Sequence, residues 1–284
     1  MCTTVALRFE HIFRDSDRER YRAIEMTRAR DALITALNTD STRVIDASAS
    51  YETLLSSAIR SMHQRAHRTS LEHQPSFEWN GHVSPCWYYE WASVMYARYD
   101  AQRKQASTLF EGQSYQEAKQ MLVTALETVT STKDILSKWV WKTPQQPTWC
   151  RKVWWDAQEE ETKAMRAMSI YLHCENLEEA TMQQLYGASS KAEEHATTAA
   201  SIWPTSQSLV MIENARVKRA WCKAHIMWDE GQYGAAIGLA HAWNNISFEP
   251  LAGVARPEWD HIIHDWTHEN NTVHYQKITT PTSI

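Results

Sequence analysis

Residues 111–118 read Glu-Gly-Gln-Ser-Tyr-Gln-Glu-Ala, and residues 230–236 read Glu-Gly-Gln-Tyr-Gly-Ala-Ala. Each stretch closes a long periodic segment, turns on glycine, and opens another segment with an aromatic followed by alanine. Glycine at a helix end takes the left-handed C-cap, and alanine lets neighbouring helices approach closely. The echo therefore predicts two helical hairpins. Working outward, the apolar side of each flanking segment recurs at helical spacing. The aromatic stretch from Cys86 to Phe110 enters the first turn, and Tyr115 to Trp139 leaves it. A segment from Ser206 or Ser208 to Glu230 enters the second, and a helix to about Asn245 leaves it.

Composition points the same way. Of 284 residues only 7 are Gly and 8 are Pro, too few for folds rich in tight turns. Ala, Glu, Gln, Met, Leu and Arg, all good helix formers, fill the long segments. Helices are also expected over about 17–37, 41–62, 148–172, 177–202 and 257–270. Residues 3–9 permit one short strand or an extended arm, within an N-terminal stretch of 1–16. Residues 67–86 read as a loop, 140–148 as a break made by Pro144 and Pro147, and 271–284 as an extended tail. The fold class expected is all-α: one domain over 1–284, an elongated bundle of long helical hairpins with tetratricopeptide-like pairs.

Charge and cysteines narrow the function classes. The net charge of -5 argues against a general nucleic-acid binder. Five dispersed cysteines without C-x-x-C spacing suggest reduced thiols in an intracellular compartment. No apolar run reaches the length of a membrane span. Arginines between residues 14 and 30 alternate with acids, which presequences avoid, so a solvated helix face is expected there. The expected location is cytoplasmic or cytoskeletal, with mitochondria left open.

No phosphate-cradling loop, nucleophile elbow or zinc-protease motif occurs, and no cofactor is expected. His261, His264 and His268 share one helical face and are the weak metal candidates; a polar stripe explains them as well. Cys222 and His225 form half a metal site at most. Glu159-Glu160-Glu161 reads as a solvated helix start rather than a catalytic group. The 14 tryptophans exceed what one small core usually takes. The aromatic cluster at 87–99 reads either as core packing of a long helix or as an exposed anchor surface; with the second cluster, 139–155, it supplies Trp91, Trp154 and Trp155 as candidate anchors for a protein partner.

The order of features resembles a divergent, shortened Bro-one domain, the helical module of ALIX-type adaptors that bind the ESCRT-III machinery. A strand-like start precedes paired helices. Phe77-Glu78-Trp79 resembles the family's Phe-x-Trp stretch. The 91–110 and 115–129 helices resemble its tetratricopeptide-like pair, and the alanine-rich Arg216–Ala242 hairpin follows. Asn270-Asn271-Thr-Val-His-Tyr-Gln-Lys-Ile-Thr-Thr-Pro resembles the closing segment. The resemblance implies a non-enzymatic adaptor whose apolar groove takes an amphipathic helix of an ESCRT-III-like subunit. It puts the groove on helix 177–200, with Leu185 and Met182 as groove residues, whereas Thr181 stands where the family has an apolar residue. The alternative is a structural subunit locked into a large cytoskeletal, axonemal or organellar assembly, bound to its neighbours there. A helical enzyme using the three histidines is the third reading.

Overall fold

The structure is a computed structural model that describes residues 17–72, 85–141, 146–177, 180–247, 249–251 and 254–279, with side chains over 24–64, 87–138, 140–141, 146–177, 180–247, 249–251 and 254–270. Among the described residues it is all-α, with nine helices and no strand. They are α1 (Asp17–Ala36), α2 (Ser41–Glu72), α3 (Pro85–Glu111), α4 (Tyr115–Trp139), α5 (Lys152–Asn176), α6 (Met182–Ile202), α7 (Ser206–Asp229), α8 (Tyr233–Asn244) and α9 (Trp259–Thr279). A 3-10 turn at Thr148–Cys150 precedes α5. Neighbours in sequence pack as pairs: α1 on α2, α6 on α7, α7 on α8 and α8 on α9.

Three helices run further than expected, the least of them α5, which continues past residue 172 to Asn176. The extension of α2 past Met62 to Glu72 removes part of the loop predicted from residue 67, and the first glycine or proline after Ser41 is Pro75. Likewise α9 continues to Thr279, so residues 271–279 are helix and not an extended tail. The next breaker there is Pro281, which disfavours helix at the residue before it. The strand or arm at 3–9, the Phe77–Trp79 stretch and residues 280–284 lie outside the described residues.

Contacts divide the chain into two compact units. One is Met1–Ala106 with Met121–Glu159, the other Ser107–Gln120 with Glu160–Ile284. The first has its core among Met26 and Leu33 of α1, Tyr51 and Leu55 of α2, Trp91 and Tyr99 of α3, Leu136 of α4 and Trp155 of α5. The α3 helix is buried on most of its circumference, which explains an aromatic stretch with little polar relief. In the second unit, Ala220 and Ala224 of α7 and Ala236 and Ala240 of α8 join Trp259 and Trp266 of α9 in one cluster.

The echoed turns are both Schellman caps, but in different registers. In the second, Gly231 takes φ 78. Its N–H donates to the Trp228 carbonyl at 2.9 Å, and the Gln232 N–H donates to the Met227 carbonyl at 2.8 Å. In the first, the left-handed residue is Gln113 at φ 58, not Gly112. Here Gln113 N–H donates to the Phe110 carbonyl at 3.0 Å and Ser114 N–H to the Leu109 carbonyl at 2.8 Å. The tyrosine that opens the next helix lies two residues after the left-handed position in both, so Tyr115 and Tyr233, and not the glycines, keep the register. Gly231→Ala is expected to cost about 1 kcal/mol, because no neighbour lies within 4 Å of an added Cβ and only the backbone conformation resists it. Gln113→Gly is expected to gain about 0.5–1 kcal/mol, and Gly112→Ala to be harmless. Urea denaturation of the three variants checks the ordering; a loss at Gly112→Ala equal to that at Gly231→Ala would contradict it.

Candidate functional site

The two aromatic clusters singled out in the sequence pack against each other inside the first unit. Tyr96 and Trp154 lie edge-on at 5.3 Å, Tyr99 and Trp155 at 5.8 Å, and Trp154 and Trp155 at 4.9 Å. The indole of Trp155 donates to the Trp149 carbonyl at 2.7 Å, and that of Trp141 to the Cys150 carbonyl at 2.8 Å. Tyr99 donates to the Gln158 carbonyl at 3.1 Å. Trp91 and Trp155 are buried and Trp154 is half-buried. As exposed anchors, Trp91 and Trp155 are therefore corrected: each cluster is the other's partner. Of the 12 tryptophans with described side chains, 5 are buried, 7 half-buried and none exposed, so none of these stands fully displayed.

The helix matched to the groove is α6, and its apolar side faces inward. Leu185, Ser189, Ala192, Ala196 and Ala199 are buried, and Met182 is half-buried. Leu185 thus has no surface to offer, which corrects its reading as a groove residue. Thr181 departs from the family pattern because it caps the helix. Its hydroxyl accepts from the Gln184 N–H at 3.3 Å, while the Gln184 side chain accepts from the Thr181 N–H at 2.9 Å. On α7 the cap is Thr205, closed by Ser208 in the same way, rather than a serine acting alone.

The acidic run lies inside α5 and its members diverge. Glu159 pairs with Lys133, Glu160 with Lys163 and His195, and Glu161 is buried. That replaces the solvated start expected there.

The second unit holds an aromatic assembly that the sequence reading missed. Trp221 and Trp228 lie two turns apart on α7, and Trp259 and Trp266 two turns apart on α9. Trp221 meets Trp259 at 5.1 Å, and Trp228 stacks on Trp266 at 4.7 Å with planes 9° apart. The matched order means that α7 and α9 run in the same direction. A repeated Trp-x6-Trp is the signal that would have found it. Between the rungs, His225 contacts Trp221 at 4.7 Å and Trp266 at 5.0 Å. Its Nε2 is covered and has no hydrogen-bond partner. Burial holds the imidazole below its ordinary pKa, against a smaller opposing effect of Asp229. The folded state then favours the neutral ring. Its contribution to stability is complete above the unfolded value of about 6.5 and is lost as pH falls through the lower folded value. His225→Phe is expected to flatten the acid side of the stability curve below pH 6.5; parallel thermal melts of both proteins test this, and an unchanged slope would refute it.

The weak metal candidates behave differently. His261 and His264 are exposed on α9 and face Asp265 at 3.3 and 3.2 Å, and His268 is exposed as well. Among the described residues no group of three or more His, Cys, Asp and Glu side chains is placed to hold a metal ion. Cys222 and His225 do not converge either: the thiol lies 3.8 Å from the Tyr171 hydroxyl, and burial pushes it up to about 11. That hydroxyl donates to Glu175 at 2.9 Å, and both Glu175 oxygens accept from Lys218 at 3.0 Å.

The surface feature that stands out is α8. Its sequence, Tyr-Gly-Ala-Ala-Ile-Gly-Leu-Ala-His-Ala-Trp-Asn, contains no Asp, Glu, Lys or Arg. Ala236 and Ala240 face the core, while Gly234, Ala235, Gly238, His241 and Ala242 are exposed. A Cβ added at Gly234 or Gly238 would meet nothing within 4 Å. An exposed helix face normally carries charge, and this one has bare backbone and methyl groups, with the His241 imidazole in its last turn. No described helix is long and apolar enough to cross a membrane, so lipid burial of a span does not explain it. No family model, curated protein or solved structure matches the chain.

Proposed function

We propose that the chain is a non-enzymatic helical adaptor that seats an amphipathic helix of a partner protein on the outer face of α8. The uncharged, glycine-bearing surface of α8 carries this reading. Gly234 and Gly238 are one turn apart on one side, so a second backbone can approach closely at those two positions, and no Asp, Glu, Lys or Arg of α8 has to be desolvated. An apolar helical stripe fits such a face; a charged peptide does not. The Bro-like order of features supplies the candidate occupant, the tail helix of an ESCRT-III-type subunit. The docking face is α8 rather than α6, because α6 turns its apolar side inward.

Titration with fluorescent ESCRT-III-type tail peptides tests the occupant, and a photo-crosslinking residue at position 238 tests the face. Micromolar binding is expected, lost in Ala235→Glu and retained in Thr197→Glu on exposed α6 surface. No binding at high micromolar peptide removes the ESCRT-type occupant. Binding that survives Ala235→Glu and leaves position 238 uncrosslinked removes the α8 face.

A further inference from the structure

A small cavity in the second unit is lined by three methionine side chains, Met165 and Met168 of α5 and Met211 of α7. All three residues are nearly inaccessible to solvent. The two α5 residues are one turn apart and so share a side of the helix. Phe110 and Val254 add apolar lining, and Gln207 adds an amide. The volume is about 50 Å³.

Size and chemistry restrict the occupant. Small-molecule sites run to roughly 300–1,000 Å³, so an organic cofactor does not fit. A buried water needs two to four polar partners. Among the described lining residues, side-chain polar groups come from Ser107 and Gln207, and the Gln207 amide already donates to the Met165 sulfur at 3.6 Å. Among the described residues the lining includes no carboxylate, imidazole or thiol, so magnesium, calcium and zinc lack their side-chain ligands there. Thioethers are soft, polarizable donors that select Cu(I). A single positive charge is also the least costly metal charge to bring into an apolar site.

We infer that Met165, Met168 and Met211 form a thioether site for one soft monovalent cation, Cu(I). The amide of Gln207 positions the Met165 thioether through its hydrogen bond to the sulfur. The step is binding alone, with no change of oxidation state. This site stands independently of the α8 face, since it lies on other helices and takes an ion.

The test uses the full chain with carbon-13 in its methionine methyl groups, titrated anaerobically with Cu(I). Of the 10 methionines, Met165, Met168 and Met211 are expected to shift together as one equivalent binds beyond what the thiols take up. The variant carrying Met165→Leu, Met168→Leu and Met211→Leu should bind one equivalent fewer in competition with a Cu(I) chelator. The cysteines remain in both proteins and cancel in that difference. Three unmoved methyl signals while Cu(I) binds elsewhere would overturn the site. So would an unchanged stoichiometry in the folded triple variant. Where the triple variant does not fold, the methyl shifts of the wild-type chain decide alone.

Discussion

Glu175→Ala is expected to destabilise the second unit by about 3 kcal/mol, and Lys218→Met by much less. The asymmetry follows from which partner is buried. Lys218 is 5% exposed at its side chain and Glu175 31%. Both carboxylate oxygens hold the ammonium at 3.0 Å, and the Tyr171 ring lies 5.2 Å from it. Removing the carboxylate leaves a buried cation with only that ring, which is worth a fraction of an ion pair. Breaking a buried pair in this way costs roughly 3–5 kcal/mol, and access of water through the Glu175 side places the cost at the low end. The Tyr171 hydroxyl loses its acceptor at the same time. Removing the lysine instead leaves a carboxylate that water already reaches and that still accepts from Tyr171, and methionine refills the volume. Glu175→Ala combined with Lys218→Met should therefore recover most of the loss. Urea denaturation of the two single variants and the double variant gives the coupling. Equal losses for the single variants, or no recovery in the double, would show that the ion pair does not hold this part of the unit.

Helix existence was legible from local chemistry, and helix facing was not. The α3–α4 turn and the ends of α4 follow from Glu111-Gly112 and from the proline break, and both stand where the pattern put them. Boundaries failed where polar residues mimicked an ending: no breaker follows Met62 until Pro75, nor Asn271 until Pro281, and the helices run on accordingly. The start of α6 carried a readable signal, since Thr181-x-x-Gln184 has capping-box spacing. The α7 cap did not, because Thr205 is answered by Ser208 and not by a glutamate or glutamine. The aromatic count left core and anchor readings open for a physical reason. Tryptophan suits cores and interfaces equally, and only the tertiary arrangement shows that 87–99 and 139–155 cover each other. The absence of charge in α8 was visible in sequence from the start. Its meaning depends on which side is exposed, and one-dimensional periodicity does not settle that for a helix made of alanine, glycine and aromatics.

Trp155→Ala separates the two meanings of the aromatic surplus. As a partner anchor, Trp155 would leave stability unchanged when truncated and abolish binding. As core, its loss removes a fully buried indole and leaves a void among Tyr99, Trp154 and Trp149. Truncations of this kind cost about 3–5 kcal/mol. Further terms push the same way. The indole donates to the Trp149 carbonyl at 2.7 Å, and that acceptor lies on the 3-10 turn leading into α5. Tyr99 and Trp154 lose edge contacts at 5.8 and 4.9 Å, each adding roughly 0.5–1.5 kcal/mol beyond area. The expected loss is thus toward the upper end, a large fraction of the about 5–15 kcal/mol that holds a unit of ordinary stability. Trp155→Phe keeps most of the packing and gives up the hydrogen bond, and is expected to cost about half as much. Thermal melts and near-ultraviolet circular dichroism of the two variants measure the difference. A Trp155→Ala protein that melts like the wild type would return this residue to the surface and reopen the first unit as a docking site.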